Sequence, residues 1–344
     1  MQRKIYYLLL IILPLILFSC NNEKDNGNSG QNNEQSISDE NNETRKFVPF
    51  LDDKWIGNAV SYGPYREGQA PGQLGPTKEQ IIEDLNIISK RWNMLRLYNS
   101  DVNSRKILQL IRDNNYPIKV MLGIWLENEN LGPNKKEENL KNIENGIKLA
   151  NEFKDQIMAV SVGNEAQVFW SYHRMDINKQ INYIRKVREN TTHPITTADD
   201  YKFWLADSSK NMANEIDFIT THAHPAWNGL SVENSVAWLD SVYKDLSTVH
   251  PDKTIIIGET GWPTNYNKEK IGDGQQGTLI KGKINAEAQK EFFIMYDKWV
   301  NESRVVSFLF EAFDEPWKGG GEATGTNEVE KHWGIYFDNR KAKF

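Results

Sequence analysis

Ile255-Ile256-Ile257-Gly258-Glu259-Thr260-Gly261-Trp262-Pro263 is an apolar β-branched run that delivers a glutamate at its end and then breaks into glycine and proline. Val160-Ser161-Val162-Gly163-Asn164-Glu165 ends in the same way. Short runs rich in Val and Ile read as buried strands of a parallel sheet. A polar residue at such a strand's end lies where strand gives way to loop. In a (β/α)8 barrel the C-terminal strand ends converge on one face, so glutamates far apart in sequence meet there. Two carboxyl groups brought together are what hydrolysis of a glycosidic bond requires, one to protonate the departing oxygen and one to attack the anomeric carbon or activate water.

Outward from these runs, the chain alternates apolar stretches with amphipathic ones from Trp55 onward. Strands are predicted at Trp55 to Ser61, Met94 to Tyr98, Ile118 to Ile124, Ile157 to Gly163, Ile195 to Ala198, Phe218 to Thr221, Thr254 to Gly258 and Val305 to Phe310. Between them, Thr77 to Lys90, Glu138 to Phe153, Ile177 to Glu189, Ser235 to Thr248 and Glu287 to Asn301 carry apolar residues three and four apart, as surface helices do. Thr77 with Gln80, and Asn285 ahead of Glu287, supply helix starts. The fold predicted is α/β, a single (β/α)8 TIM barrel over residues 47–344. An open doubly wound sheet would carry a glycine-rich phosphate loop after its first strand, and Gly57 to Gly63 contains neither GxGxxG nor a Walker lysine.

Residues 1–19 read as a lipoprotein signal peptide. Arg3 and Lys4 precede an apolar run, and Leu17-Phe18-Ser19 precede Cys20, the chain's single cysteine, which is the expected lipidation site. Residues 20–46, almost without apolar side chains, are expected to be a disordered tether. Asn21 in place of Asp favours an outer-membrane lipoprotein, exposed at the cell surface or facing the periplasm. The net charge of −6 and the lack of a basic block argue against a nucleic-acid partner. A monomer is expected.

Setting every strand end on one face collects Tyr62, Arg96, Tyr98, Trp125, Asn164, Glu165, Asp199, His222, His224, Glu259, Trp262, Glu311 and Glu315 around one mouth. Aromatic rings there can stack on sugar C–H faces, and the acidic balance suits a neutral polyhydroxylated ligand over a phosphorylated one. Glu165 and Glu259 are the candidate pair, with Asn164 placed to hold the adjacent sugar hydroxyl. His222-x-His224 lacks a third ligand at zinc spacing, and Asp273 to Gly277 lacks the alternating carboxylates of a calcium loop. No metal and no cofactor are predicted.

Gly163-Asn164-Glu165 and Gly258-Glu259-Thr260-Gly261-Trp262-Pro263 resemble the acid/base and nucleophile motifs of glycoside hydrolase family 17, the β-1,3-glucanases and glucanosyltransferases. Tyr62-Gly63, Arg96-Leu97-Tyr98, Phe310 to Glu315 and Glu330 to Tyr336 fall in that family's order, so the resemblance spans about Ile56 to Phe337. It implies a retaining mechanism, Glu165 as acid/base and Glu259 as nucleophile, with carboxyl groups ~5–5.5 Å apart. The expected activity is endo-cleavage of β-1,3-glucosidic bonds in a β-glucan poly- or oligosaccharide. Supporting roles around the sugar are expected for Tyr201, Trp227, Phe313, Glu315, Trp317, Lys318 and Glu330. A transglycosylase would use the same pair, and a surface glycan-binding lipoprotein without activity is the alternative of another class. Thr221 to Trp227 departs from the Tyr-Pro type of the plant enzymes, and Gly272 to Gly282 and Lys318 to Thr326 read as loops at the cleft's ends.

Overall fold

The computed structural model describes residues 43–267, 279–319 and 328–344. The signal peptide, Cys20, most of the tether, the Asp273 to Gly277 loop and the greater part of the two loop stretches lie outside the described residues. The folded unit runs from Glu43 to Phe344. The expected tether is therefore too long at its C-terminal end: Arg45 donates to the backbone oxygens of Arg188 and His193, and its N–H to Asp217.

Eight parallel strands close a barrel: β1 (Asn58–Ser61), β2 (Met94–Leu97), β3 (Lys119–Ile124), β4 (Ile157–Asn164), β5 (Ile195–Asp200), β6 (Phe218–His222), β7 (Thr254–Thr260) and β8 (Ser307–Leu309), with β8 pairing back onto β1. The first strand starts later than predicted. Trp55 pairs instead in a short antiparallel turn with Phe50, and its ring folds over Gly57, where a Cβ would come within 2.4 Å of it.

The crossover helices are α1 (Lys78–Ile88), α2 (Val102–Asp113), α3 (Lys135–Glu152), α4 (Ile177–Glu189), the short α5 (Tyr201–Leu205) and α6 (Lys210–Asn214), α7 (Val232–Val249) and α8 (Ala286–Ser303). Thr77 and Gln80 form the predicted capping box, and Asn285 caps α8 through Ala288 N–H. Helix α2, outside the segments named from sequence, is capped by Asp101 and buries Ile107, Leu108 and Ile111.

Two apolar layers result. Ala59, Met94, Met121, Ala159, Phe218, Ile256 and Phe308 cluster at one level of the strands, with Phe47 stacked on Phe218 at 4.6 Å. A larger shell packs the helices on the barrel's outside. Because successive strand residues alternate faces, Met94 and Arg96 share one face and Arg96 stands nearer the mouth.

Candidate active site

Glu165 follows β4 in a turn that the local sequence makes possible. Gly163 has φ +90°, and a side chain there would meet Gln180 Nε2 at 2.5 Å. That amide nitrogen donates to Val162 O and Thr197 Oγ1, filling the space glycine leaves. Glu165 itself sits at φ +46°, in the left-handed region that costs a non-glycine residue about 1 kcal/mol or more. Its N–H donates to Ala198 O at 2.8 Å, and the His173 ring donates from Nε2 to Asn164 O at 2.7 Å. The turn is fixed from both sides.

Glu259, near the end of β7, is buried. Arg96 donates to its Oε1 at 2.5 Å, and His224 Nε2 lies 3.3 Å from Oε2. Burial alone would raise its pKa. The charges of His222 and Arg96 and the hydrogen bond from His224 outweigh burial and hold the carboxyl well below the ordinary range. His222 connects the two glutamates: Nδ1 is 2.8 Å from Glu165 Oε1, and Nε2 is 3.4 Å from Glu259 Oε1. Burial works against a charge on His224, but Glu259, Glu165 and Glu330 together raise its pKa above 6.5. Arg96 also donates to Asn164 Oδ1 at 2.5 Å and lies over the Tyr98 ring at 4.6 Å, so one guanidinium sets both motifs.

The β8 side carries a second charged group. Lys318 donates to both oxygens of the fully buried Glu311 (3.0 and 2.9 Å) and pairs with Glu315 at 2.6 Å. Trp317 Nε1 donates to Glu315 at 2.9 Å. Burial, and then Glu315, push the Glu311 carboxyl well above the usual range against the pull of Lys318. Gly63 admits this group, because a Cβ there would fall 2.0 Å from Glu315 Oε1.

Glu330 is half-buried and its pKa is raised to about 7, first by loss of water and then by Glu259 and Glu165, with Lys318 and His224 opposing. A carboxyl whose folded pKa exceeds its unfolded value of 4.5 holds its proton more tightly when folded, so stability is lost as pH rises from about 4.5 through about 7. Glu330→Gln removes that loss. The variant's Tm relative to wild type is expected to rise by about 2–4 °C between pH 5 and pH 8, after allowance for water reaching a half-buried group. Parallel melting curves check this, and a pH-independent difference would exclude titration of Glu330 in that window.

Arg96, Tyr98, Asn164, Glu165, His222, His224 and Glu259 are brought together as expected, and Trp227 and Trp317 stay half-buried at the rim. Three aromatic assignments are corrected. Tyr62 lies on the helix side of β1, 1% exposed, and donates to Asp84 of α1. Trp262 is 1% exposed, stacks on Phe292 of α8 and donates to Lys283 O. Phe313 packs edge-on against Tyr62 beneath the Arg340 guanidinium. None of these rings offers a face to a sugar. Asp199 is buried beneath the β4 loop, accepting the N–H groups of Gln167 and Asp200, and Tyr201 bonds Asn228 and packs on Trp238 of α7. Both act on the loops around the glutamates. Sequence reasoning passed over His173, Gln180 and Trp333; the last is buried against His224, Phe310 and Trp227.

The chain is 26% identical over 283 residues to the glucan endo-1,3-beta-glucosidase btgC of Emericella nidulans, covering 78% of this chain and 42% of that protein. It spans less than half the length of the curated relatives it matches. Among solved structures, an endo-laminarinase from Formosa Hel1_33_131 superposes with TM-score 0.69 and 26% identity, covering 83% of this chain and 86% of that one. A family 17 β-1,3-glucanosyltransferase from Rhizomucor miehei, 24% identical with TM-score 0.64 over 83% and 94% of the chains, shares the fold. The BtgE/BtgC glycoside hydrolase domain model matches residues 59–334, from β1 through the segment that follows β8 and including both glutamates. The chain belongs to the family of BtgE/BtgC glycoside hydrolase domains.

Proposed function

We propose that the chain is a retaining, endo-acting β-1,3-glucanase with Glu165 as acid/base and Glu259 as nucleophile. The observation that carries this reading is the asymmetry of the pair. Glu259 is buried and kept ionised by Arg96 and the two histidines, as an attacking carboxylate needs, while Glu165 is 28% exposed towards the cleft, where a proton must reach a departing oxygen.

In the first step a Glu259 oxygen bonds to the anomeric carbon as the glycosidic C–O bond breaks, and the Glu165 proton goes to the leaving glucan. In the second, Glu165 takes a proton from water, the water oxygen bonds to the same carbon, and Glu259 departs as carboxylate. Arg96 occupies the Asn164 carbonyl oxygen, leaving the amide N–H groups for the hydroxyl beside the reacting carbon. The β-1,3 linkage is supported by what the names of btgC and of the Formosa enzyme say those proteins act on. Exposed aromatic residues on the segment that follows Glu165, Phe169, Trp170 and Tyr172, favour a second outcome, in which another sugar intercepts the intermediate.

The test is time-resolved NMR and product analysis of the full chain acting on linear β-1,3-gluco-oligosaccharides. Internal cleavage with the β-anomer formed first is expected, and no product is expected from Glu259→Gln. The α-anomer first would sink the retaining mechanism. Products longer than the substrate would establish transfer.

A further inference from the structure

We propose that Phe169 and Trp170 form a sugar-binding platform on the leaving-group side of the cleft, which takes the β-glucan residues on the reducing-end side of the bond being cut. This deepens the glycosidase reading and rests on Glu165 being the acid.

Most large aromatic side chains around the mouth are buried or half-buried. Phe169 and Trp170 are 80% and 37% exposed, and Tyr172 beside them is 52% exposed. Contiguous apolar surface rimmed by polar groups marks a contact site. Its position here is set by the same bonds that set Glu165. At the base of the loop, Met175 N–H donates to Ala166 O at 3.0 Å and Gln167 N–H to Asp199 at 2.9 Å. His173 holds Asn164 O through one ring nitrogen and meets Ser171 Oγ at 3.1 Å through the other. The aromatic tip is thus carried a fixed few residues beyond the acid.

Glu165 delivers its proton to the oxygen that leaves, and in this proposal the loop that carries Glu165 and the two rings lies against the departing part of the chain. The Glu311, Lys318 and Glu315 group stands at β8, four strands away around the barrel in either direction, on the side left for the sugars that remain attached. The platform's shape suits a curved chain. Its two rings meet edge to face, 5.0 Å apart at 84°, and so offer faces at right angles, as a β-1,3-linked glucan, whose successive rings turn, requires. Lys202, in the first turn of α5, sets its ammonium over the Trp170 ring, 5.9 Å from the centroid, where it can donate to sugar hydroxyls.

The experiment is a map of bond-cleavage frequencies on a linear β-1,3-glucohexaose labelled with 18O at its reducing end, using full-length wild type, Trp170→Ala, Phe169→Ala and Trp170→Phe. Loss of stacking on the leaving side is expected to lower kcat/KM about tenfold, as stacked ring contacts do elsewhere. Cleavage should also move towards the reducing end in both alanine variants, because binding modes that place several sugars beyond the acid are lost. Trp170→Phe should keep the wild-type pattern. Unchanged cleavage patterns in the alanine variants overturn the proposal while leaving the glucanase reading intact. A shift towards the non-reducing end overturns it by placing the rings on the opposite side. A wild-type protein that cuts none of these oligosaccharides overturns both readings together.

Discussion

Glu259→Ala is expected to lower turnover of β-1,3-glucan by about 10⁴–10⁶-fold, the usual cost of removing a nucleophile that works in concert with its neighbours, which is the role proposed for Glu259. Azide is then expected to restore turnover of an aryl β-laminaribioside by attacking the anomeric carbon from the face the carboxylate vacated, giving the α-glycosyl azide. Glu165→Ala should behave differently. With a good leaving group the first step needs no acid, so the glycosyl-enzyme still forms on Glu259, and azide intercepts it to give the β-glycosyl azide. NMR of the two azide products assigns the roles. The opposite pair of configurations would exchange them.

The geometry explains why the pair should divide in this way. Glu259 touches a guanidinium at 2.5 Å and an imidazole at 3.3 Å, both shielded from water, where charge-assisted hydrogen bonds are strong. Protonating it would strand those partners. Glu165 shares His222 with Glu259 but has no ion pair with Arg or Lys among the described residues, and its side chain is the more exposed of the two, 28% against 9%. Glu259 is thus held as an anion, and Glu165 is the carboxyl that faces the cleft.

The strand runs and the ends they deliver were legible because the barrel writes a local pattern: a β-branched apolar run, then a polar residue, then a turn. That pattern located Glu165 and Glu259 without a structure. Aromatic residues were less legible. Trp262 stands three residues beyond Glu259 and Tyr62 just beyond β1, yet one packs on α8 and the other bonds α1. Adjacency in sequence does not say which face a ring takes where a strand gives way to a loop. Alternation offered a partial signal, since Ala59 and Ser61 share one face of β1 and Tyr62 must take the other. The exposed Phe169 and Trp170 were visible as an apolar pair soon after Gly-Asn-Glu, but exposure is a property of the fold. His173 gave no signal beyond being a histidine in that same loop. Contacts closed across hundreds of residues were beyond local reading, and one of them joins Asp84 to Arg340.

That contact carries the second large expected effect. Asp84, on α1, has no exposure and accepts from Arg340 Nε and Nη2 at 2.7 Å each, from Tyr62 Oη at 2.9 Å and from Arg66 at 2.9 Å. Arg340 also donates to Pro64 O and lies 4.3 Å over Phe313, so the segment that returns after β8 is fastened to the β1 side of the barrel. Burial would lower the guanidinium's pKa, but Asp84 outweighs it and the pKa is raised. Forming such a pair returns little net energy, whereas removing Arg340 leaves the buried Asp84 carboxylate with Arg66 and Tyr62 alone, at a cost of up to about 3–5 kcal/mol. Arg340→Met is accordingly expected to lower Tm by about 6–15 °C in a domain of this size. Adding Asp84→Leu to Arg340→Met removes the under-compensated carboxylate and should recover part of the loss, a coupling of about 1 kcal/mol or more between residues in direct contact. Denaturant unfolding of the four proteins in this cycle measures the coupling. Additive effects would mean that the two side chains do not act as a pair, and that the returning segment is held by its packing on Phe313 and Tyr62.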